Sequence, residues 1–227
     1  MIPLGDTIPT RRFPIVTVTV IALNVGVWIV YQLPRLEESV QVLGFQPCVV
    51  AGSCADQGAP FPVDVLTAMF AHASWAHLIG NMLFLGIFGN NVEDSMGPWR
   101  FLVFYLVAGV VATALQLWVT LTFGTAEDAT IPQVGASGAI AGVLGAYVLL
   151  YPLAGVVTLV LVFLVEVPAV LFIGWWFLLQ LWLGGFSLFF PEASGGVALF
   201  AHIGGFVFGL LAVSPFAGGR QSRIAGP

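Results

Sequence analysis

Apolar stretches long enough to cross a lipid bilayer follow one another along almost the whole chain, at residues 13–33, 65–90, 100–123, 134–151, 168–187 and 197–214. About 20 mainly apolar residues suffice for a membrane-crossing helix. Inside lipid there is no water to pair with backbone N–H and C=O groups, so such a segment closes its own hydrogen bonds as a helix. Composition agrees: 7% of the residues are charged and 59% hydrophobic, with a mean hydropathy of +1.02. A soluble domain carries about a quarter of its residues as charges. The expected fold is an all-α membrane protein with a bundle of six transmembrane helices. It divides into an N-terminal segment (1–12), a membrane domain (13–214) and a C-terminal tail (215–227).

Residues 155–187 form one long apolar run broken by Glu166 and Pro168. The piece before the break, "GVVTLVLVF", is too short to span and rich in β-branched residues, so it is expected to lie at the interface; counting it as a span would make seven. The opening "MIPLGDTIPTRRFP" is not expected to act as a cleavable signal peptide, since Asp6 and several prolines precede the apolar run and no small-residue cleavage site follows it.

Every basic residue is an arginine. With six spans, Arg11, Arg12, Arg100, Arg220 and Arg223 fall on one side, which the excess of positive charge marks as cytoplasmic. Arg35 lies opposite, beside Glu37 and Glu38, on the outer side that also collects Asp56, Asp64, Glu127, Asp128 and Glu192. The net charge of −5 excludes the basic stripe that a nucleic-acid partner wants. The partner is the lipid bilayer, and nothing in the sequence specifies an oligomeric state. Cys48 and Cys54, in the outer loop, do not follow a zinc pattern. If the loop faces an oxidising compartment, a short-loop disulfide is expected there in preference to two free thiols.

Spans two, four and six all enter from the outside. His72, His77 and Asn81 come early in span two, Ser137 early in span four and His202 early in span six. At 1.5 Å per residue, Ser137 and His202 lie within roughly 10 Å of their helix starts. Polar groups inside a membrane are costly and point to function. "GASGAIAG" (135–142) surrounds Ser137 with small residues, and "AHIGGFVFGL" sets Gly205 and Gly209 on the face of His202. Gly138, Gly142 and Gly145 repeat the device on span four, where small residues let helices approach closely.

A glycine seam alone would explain the glycines, but it has no use for an imidazole. A serine becomes a nucleophile when a neutral imidazole can take its proton. No carboxylate lies in spans four or six, so the candidate catalytic group is a Ser137–His202 dyad with helix packing in place of the third member. His77 and Asn81, at i and i+4, share a helix face and could donate hydrogen bonds to a tetrahedral oxygen. Interhelical hydrogen bonding is the other explanation for both. His72 is about 140° from His77 on a helix, so it is expected at the helix mouth. A metal site would want an i, i+4 histidine pair with a nearby carboxylate, which is missing, so no metal is expected. Asn24, Gln116 and Gln180 are expected to be interhelical hydrogen-bond partners, and Glu166 to lie at the cytoplasmic boundary.

"HASWAHLIGN", "GASG" and "AHIGGFVFG", in that order, resemble the rhomboid intramembrane serine proteases, as does the link "NVEDSMGPWR". The resemblance covers roughly residues 13–214. It implies Ser137 as nucleophile, His202 as general base, and an oxyanion hole made by His77, Asn81 and the Ser137 backbone N–H. It further implies a water-accessible cavity open to the outer face, and cleavage of transmembrane protein substrates at or just inside the outer membrane edge, after small residues, with no cofactor. Span five and the cap loop near 188–196 match the family's proposed substrate gate. Where several members pack an aromatic beneath the histidine, four residues past the serine, this chain has Ala141. The first outer loop, roughly 34–64, lacks the adjacent Trp-Arg pair of some bacterial members. Members that have lost the dyad act as non-catalytic chaperones or adaptors, which is the alternative function. A channel or transporter would show repeated discontinuous spans, and none is apparent.

Overall fold

The structure, a computed structural model, describes residues 1–189 and 198–217. Most of the cap loop expected near 188–196, with Glu192, Arg220, Arg223 and nearly all of the 215–227 tail, lies outside the described residues. The elements run β1 (Ile2–Asp6), α1 (Ile15–Gly26), α2 (Leu36–Leu43), α3 (Pro47–Val50), α4 (Val63–Ala68), α5 (Trp75–Phe84), α6 (Asn90–Met96), α7 (Pro98–Phe123), α8 (Ser137–Leu150), β2 (Gly155–Val160), β3 (Phe163–Pro168), α9 (Ala169–Phe189) and α10 (Leu199–Ala217). A π-helical turn at Val27–Gln32 and a 3-10 turn at Leu33–Arg35 carry α1 into α2, and a π-helical turn at Leu85–Gly89 joins α5 to α6.

Among the described residues, four helical stretches are long and apolar enough to cross a membrane: Ile15–Leu43, Pro98–Phe123, Ala169–Leu188 and Leu199–Ala217. The other two expected spans take a different form. The stretch 65–90 is not one helix, because α4 ends at Ala68 and a bend carries the chain to Trp75 before α5 begins. The stretch 134–151 holds the 14-residue α8, about 21 Å long at 1.5 Å per residue and so shorter than the bilayer core. Every residue from Gly138 to Tyr147 is buried. A helix sheathed in protein along most of its length has little lipid thickness to match.

Close approach around α8 comes from missing side chains. A methyl group at Gly205 would overlap the carbonyl oxygen of Gly138, and one at Gly209 that of Gly142, so α10 lies directly on the backbone of α8. The glycines of α8 divide the work. A Cβ at Gly138 or Gly142 would come 2.6 Å from Ala112 or Ala108 of α7, and one at Gly145 would overlap the Phe206 carbonyl of α10. The expected two-helix seam is thus a three-helix junction. Close packing of this kind is the main attraction available between helices in lipid.

The fold is not all-α. β1, β2 and β3 form an antiparallel sheet in that order, with Ile2 opposite Leu159, Asp6 opposite Val156, and Val157 opposite Glu166. The β-branched "GVVTLV" expected at the interface is its central strand, as the stiffness of such residues at χ1 favours. Leu161, Val162, Phe163 and Leu164 at the hairpin tip are exposed. The N-terminal segment is built into the domain. Asp6 accepts hydrogen bonds from the Tyr147 hydroxyl of α8 and the Asn91 amide of α6. Burial pushes its carboxyl above the usual carboxylate range, opposed by those two bonds. Glu93 of α6, itself buried, accepts from Val16 N (2.9 Å), Thr17 N (2.8 Å) and Thr17 Oγ1 (2.8 Å). A carboxylate there satisfies free N–H groups at the start of α1 and complements the helix dipole.

The polar residues expected as interhelical partners sort into three roles. Asn24 bonds back to the Val20 carbonyl in its own helix (2.8 Å), which corrects its expected role. Gln116 of α7 caps α10, its Oε1 accepting from Phe200 N (3.0 Å) and Ala201 N (3.2 Å). Gln180 of α9 reaches His202.

Candidate active site

Ser137 is the first residue of α8, and the chain leading to it is held from two sides. Phe45, in the loop before α3, pairs through its backbone with Gln133, at 3.0 and 2.8 Å, and is itself fully buried. Gly135 N donates to the carbonyl of Ala68 in α4 at 2.8 Å. Gly135 has φ 128°, which side chains other than hydrogen rarely adopt. A Cβ there would stand 2.7 Å from Cε1 and Nε2 of His77, so this glycine is what lets the imidazole lie over the approach to Ser137. Cys48 and Cys54 are disulfide-bonded in the segment between α2 and α4, their Cα atoms 5.4 Å apart.

His202 stands one turn into α10, whose own start is tied down by Gln116. Its Nε2 is 2.8 Å from Ser137 Oγ. Its Nδ1 is 2.9 Å from Oε1 of Gln180, a residue 8% exposed on α9. One turn earlier on α9, Trp176 lies with its ring centroid 5.9 Å from the imidazole. Ala141 leaves His202 without an aromatic from its own serine's helix, and α9 supplies one.

His77 and Asn81 are on the first turns of α5, which Ser74 caps by accepting from His77 N at 3.1 Å. Both line, with Ser137, His202 and Trp176, a cavity of about 610 Å³. Asn81 is buried and its Nδ2 has no partner in the protein. An amide that gives up its hydrogen bonds on burial pays for desolvation, and a donor kept free beside a cavity is suited to a ligand oxygen. The structure therefore brings Ser137, His202, His77 and Asn81 to one cavity. Gly138, Gly142, Gly205 and Gly209 lie behind it, where they set the distance between α8 and α10.

His72 precedes α5 but is fully buried, its ring packed edge-on to His77 at 5.1 Å between centroids. Neither ring nitrogen has a partner in the protein. Gln32 holds the His72 backbone from both sides, accepting from its N–H at 2.8 Å and donating to its carbonyl at 3.0 Å. Among the described residues no three His, Cys, Asp or Glu side chains gather as a metal-binding group.

Gln32, Gly135 and Trp176 were not singled out by sequence reasoning. For Gly135 the signal was present, since it begins "GASG". For Gln32 and Trp176 the only clue was a polar or aromatic residue inside an apolar helix.

Comparison with known proteins points the same way. The family described as the Rhomboid domain matches residues 62–218. Rhomboid protein 1, mitochondrial, of Saccharomyces cerevisiae is 28% identical over 149 residues, 65% of this chain and 39% of the yeast protein. The putative rhomboid protease YdcA of Bacillus subtilis is 29% identical over 140 residues, 60% of this chain and 62% of that protein. Rhomboid-like protein 11, chloroplastic, of Arabidopsis thaliana is 39% identical over 84 residues, 37% of this chain and 28% of the plant protein. The matched stretches span between about a quarter and three-fifths of these relatives.

Proposed function

The chain belongs to the rhomboid family, and from that premise we propose that it is an intramembrane serine protease acting through Ser137 and His202. The observation that carries this reading is the 2.8 Å contact between Ser137 Oγ and His202 Nε2 in a cavity shared with His77 and the unpartnered amide of Asn81. In the proposed reaction His202 Nε2 takes the serine proton as Oγ bonds to the scissile carbonyl carbon. The carbonyl oxygen, now an oxyanion, accepts hydrogen bonds from the Ser137 backbone N–H, the Asn81 amide and the His77 ring. The tetrahedral adduct collapses as the C–N bond breaks, and the His202 imidazolium gives its proton to the departing amine. Water, deprotonated by the same imidazole, then hydrolyses the acyl-serine, so that a peptide bond and one water become a carboxylic acid and an amine.

The rest of the reading follows from the membrane. Helix Trp75–Met96 and the short α8 complete, with the four membrane-length stretches, a six-helix bundle. The excess of arginine near Arg11, Arg12 and Arg100 supports a cytoplasmic position for that side of the bundle, with the cavity open to the outer side and to water there. Substrates are transmembrane proteins, cut near that face. Water within the membrane is tolerable because protein, and not lipid, walls the cavity.

A fluorescent fluorophosphonate applied to the detergent-solubilised protein tests the reading. It should label the wild type and neither Ser137→Ala nor His202→Ala. Folded wild type that takes no label would favour the non-catalytic chaperone or adaptor.

A further inference from the structure

His202 makes two hydrogen bonds, and they constrain each other. A neutral imidazole carries one N–H, so the nitrogen that is to accept the serine proton must be bare and the other must donate. The hydroxyl of Ser137 cannot make that choice, because it donates and accepts alike. An amide oxygen only accepts. Gln180 Oε1, 2.9 Å from Nδ1, therefore keeps the proton on Nδ1 and leaves the Nε2 lone pair facing Ser137 Oγ at 2.8 Å. A free histidine side chain prefers the opposite tautomer, with its proton on Nε2, which is useless as a base toward Ser137.

We propose that Gln180 is a positioning residue that selects the working tautomer of His202. The proposal rests on the reading of Ser137 and His202 as a dyad. It gives Gln180 the place that a carboxylate fills in a Ser-His-Asp triad, where that carboxylate holds the imidazole's tautomer and orientation. The choice of an amide suits the site. Gln180 is buried on an apolar helix, where an ionised carboxylate would be costly to desolvate, and an amide orders the proton without carrying charge. Trp176, one turn away on the same helix, lies with its indole beside the imidazole, so α9 contributes both a hydrogen-bond acceptor and an aromatic neighbour to His202. Gln180 does not line the cavity, and its effect belongs to turnover and not to substrate binding.

The test combines ¹⁵N-histidine NMR of the full chain in micelles with kinetics on a transmembrane substrate. The His202 signals are assigned by their loss in His202→Ala. Wild type should show a protonated Nδ1 and a bare Nε2. In Gln180→Leu the proton should move to Nε2, kcat should fall by at least roughly 100-fold, toward the ~10⁴-fold lost when the histidine of a Ser-His-Asp triad is left in the wrong tautomer, and KM should stay unchanged. Gln180→Glu retains an acceptor oxygen at the same reach whether or not it ionises, and should restore both tautomer and kcat to within a few-fold of wild type. A purely structural Gln180 would behave otherwise, with Glu no better than Leu. Wild type with its proton on Nε2, or Gln180→Leu with wild-type tautomer and kcat, overturns the proposal and leaves the dyad standing. Absence of any cleavage or fluorophosphonate label in folded wild type overturns the dyad, and this role with it.

Discussion

The two sides of His202 are built to different standards. Its backbone belongs to the α8–α10 contact, where glycines bring one helix onto the carbonyls of the other. Its ring is steadied by α9, on which the only buried positions beyond Ile173, among those described, are Gln180 and Gly184. The distance from Ser137 to His202 is therefore set by a junction with no room for an added methyl group, while the state of the imidazole depends on a helix that packs lightly. A dyad needs both, but the two fail differently. Damage to the junction removes the site, whereas damage to α9 leaves the site in place and detunes it.

That contrast can be broken from either end. The largest effect should come from Gly209→Leu, because even a methyl group there would overlap the Gly142 carbonyl. Overpacking of well-filled sites costs typically about 1–3 kcal/mol and occasionally more, and with a backbone carbonyl in the way we expect aggregation on size exclusion and loss of fluorophosphonate labelling. Next in size is the loss of kcat in Gln180→Leu described above. Trp176→Ala should leave the fold intact and slow labelling roughly 2- to 13-fold, the equivalent of the ~0.5–1.5 kcal/mol that an aromatic contact supplies. Smallest is Leu178→Ala, on the exposed side of the same helix. There a change within about 0.5 kcal/mol in thermal stability, with an unaltered labelling rate, is expected. Leu178→Ala acting as strongly as Trp176→Ala would mean that α9 works by its packing as a whole and not through the two side chains on His202.

How much of this could be read from residues alone follows from what lipid does to sequence patterns. Ser137, His202, His77 and Asn81 stood out because each is polar in an apolar background, and their depth followed from their place near helix starts. What touches what did not. In a soluble helix the apolar stripe marks the inward face, but in α9 both faces are apolar, one against lipid and one against protein, so nothing in "WWFLLQLW" says that Trp176 and Gln180 meet the histidine. The same ambiguity made 134–151 look like a full span, since burial in protein and burial in lipid use the same residues. It also hid the bend before Trp75, where the peptide of His72 is satisfied by Gln32 and needs no helix. The sheet was half visible. β-branched residues marked β2, but its partner β1 is short, distant and proline-containing, and no local pattern announces it.

The pairing of β1 with β2 also orders events in time. Paired residues such as Ile2 and Leu159, or Asp6 and Val156, are separated by some 150 positions of chain. At a synthesis rate of ~5–20 residues per second, β1 leaves the ribosome roughly 8 to 30 s before its partner exists. β2 and β3, joined by a tight hairpin, can pair within microseconds of emerging. β1 therefore has no strand to pair with until α1 to α8 have been synthesised, and the sheet can close only once β2 has emerged opposite Ile2 and Asp6. Because α9 and α10 follow the hairpin in the chain, the sheet that ties β1 to β2 can close before the last two helices have been made, a clasp fastened on a half-built domain.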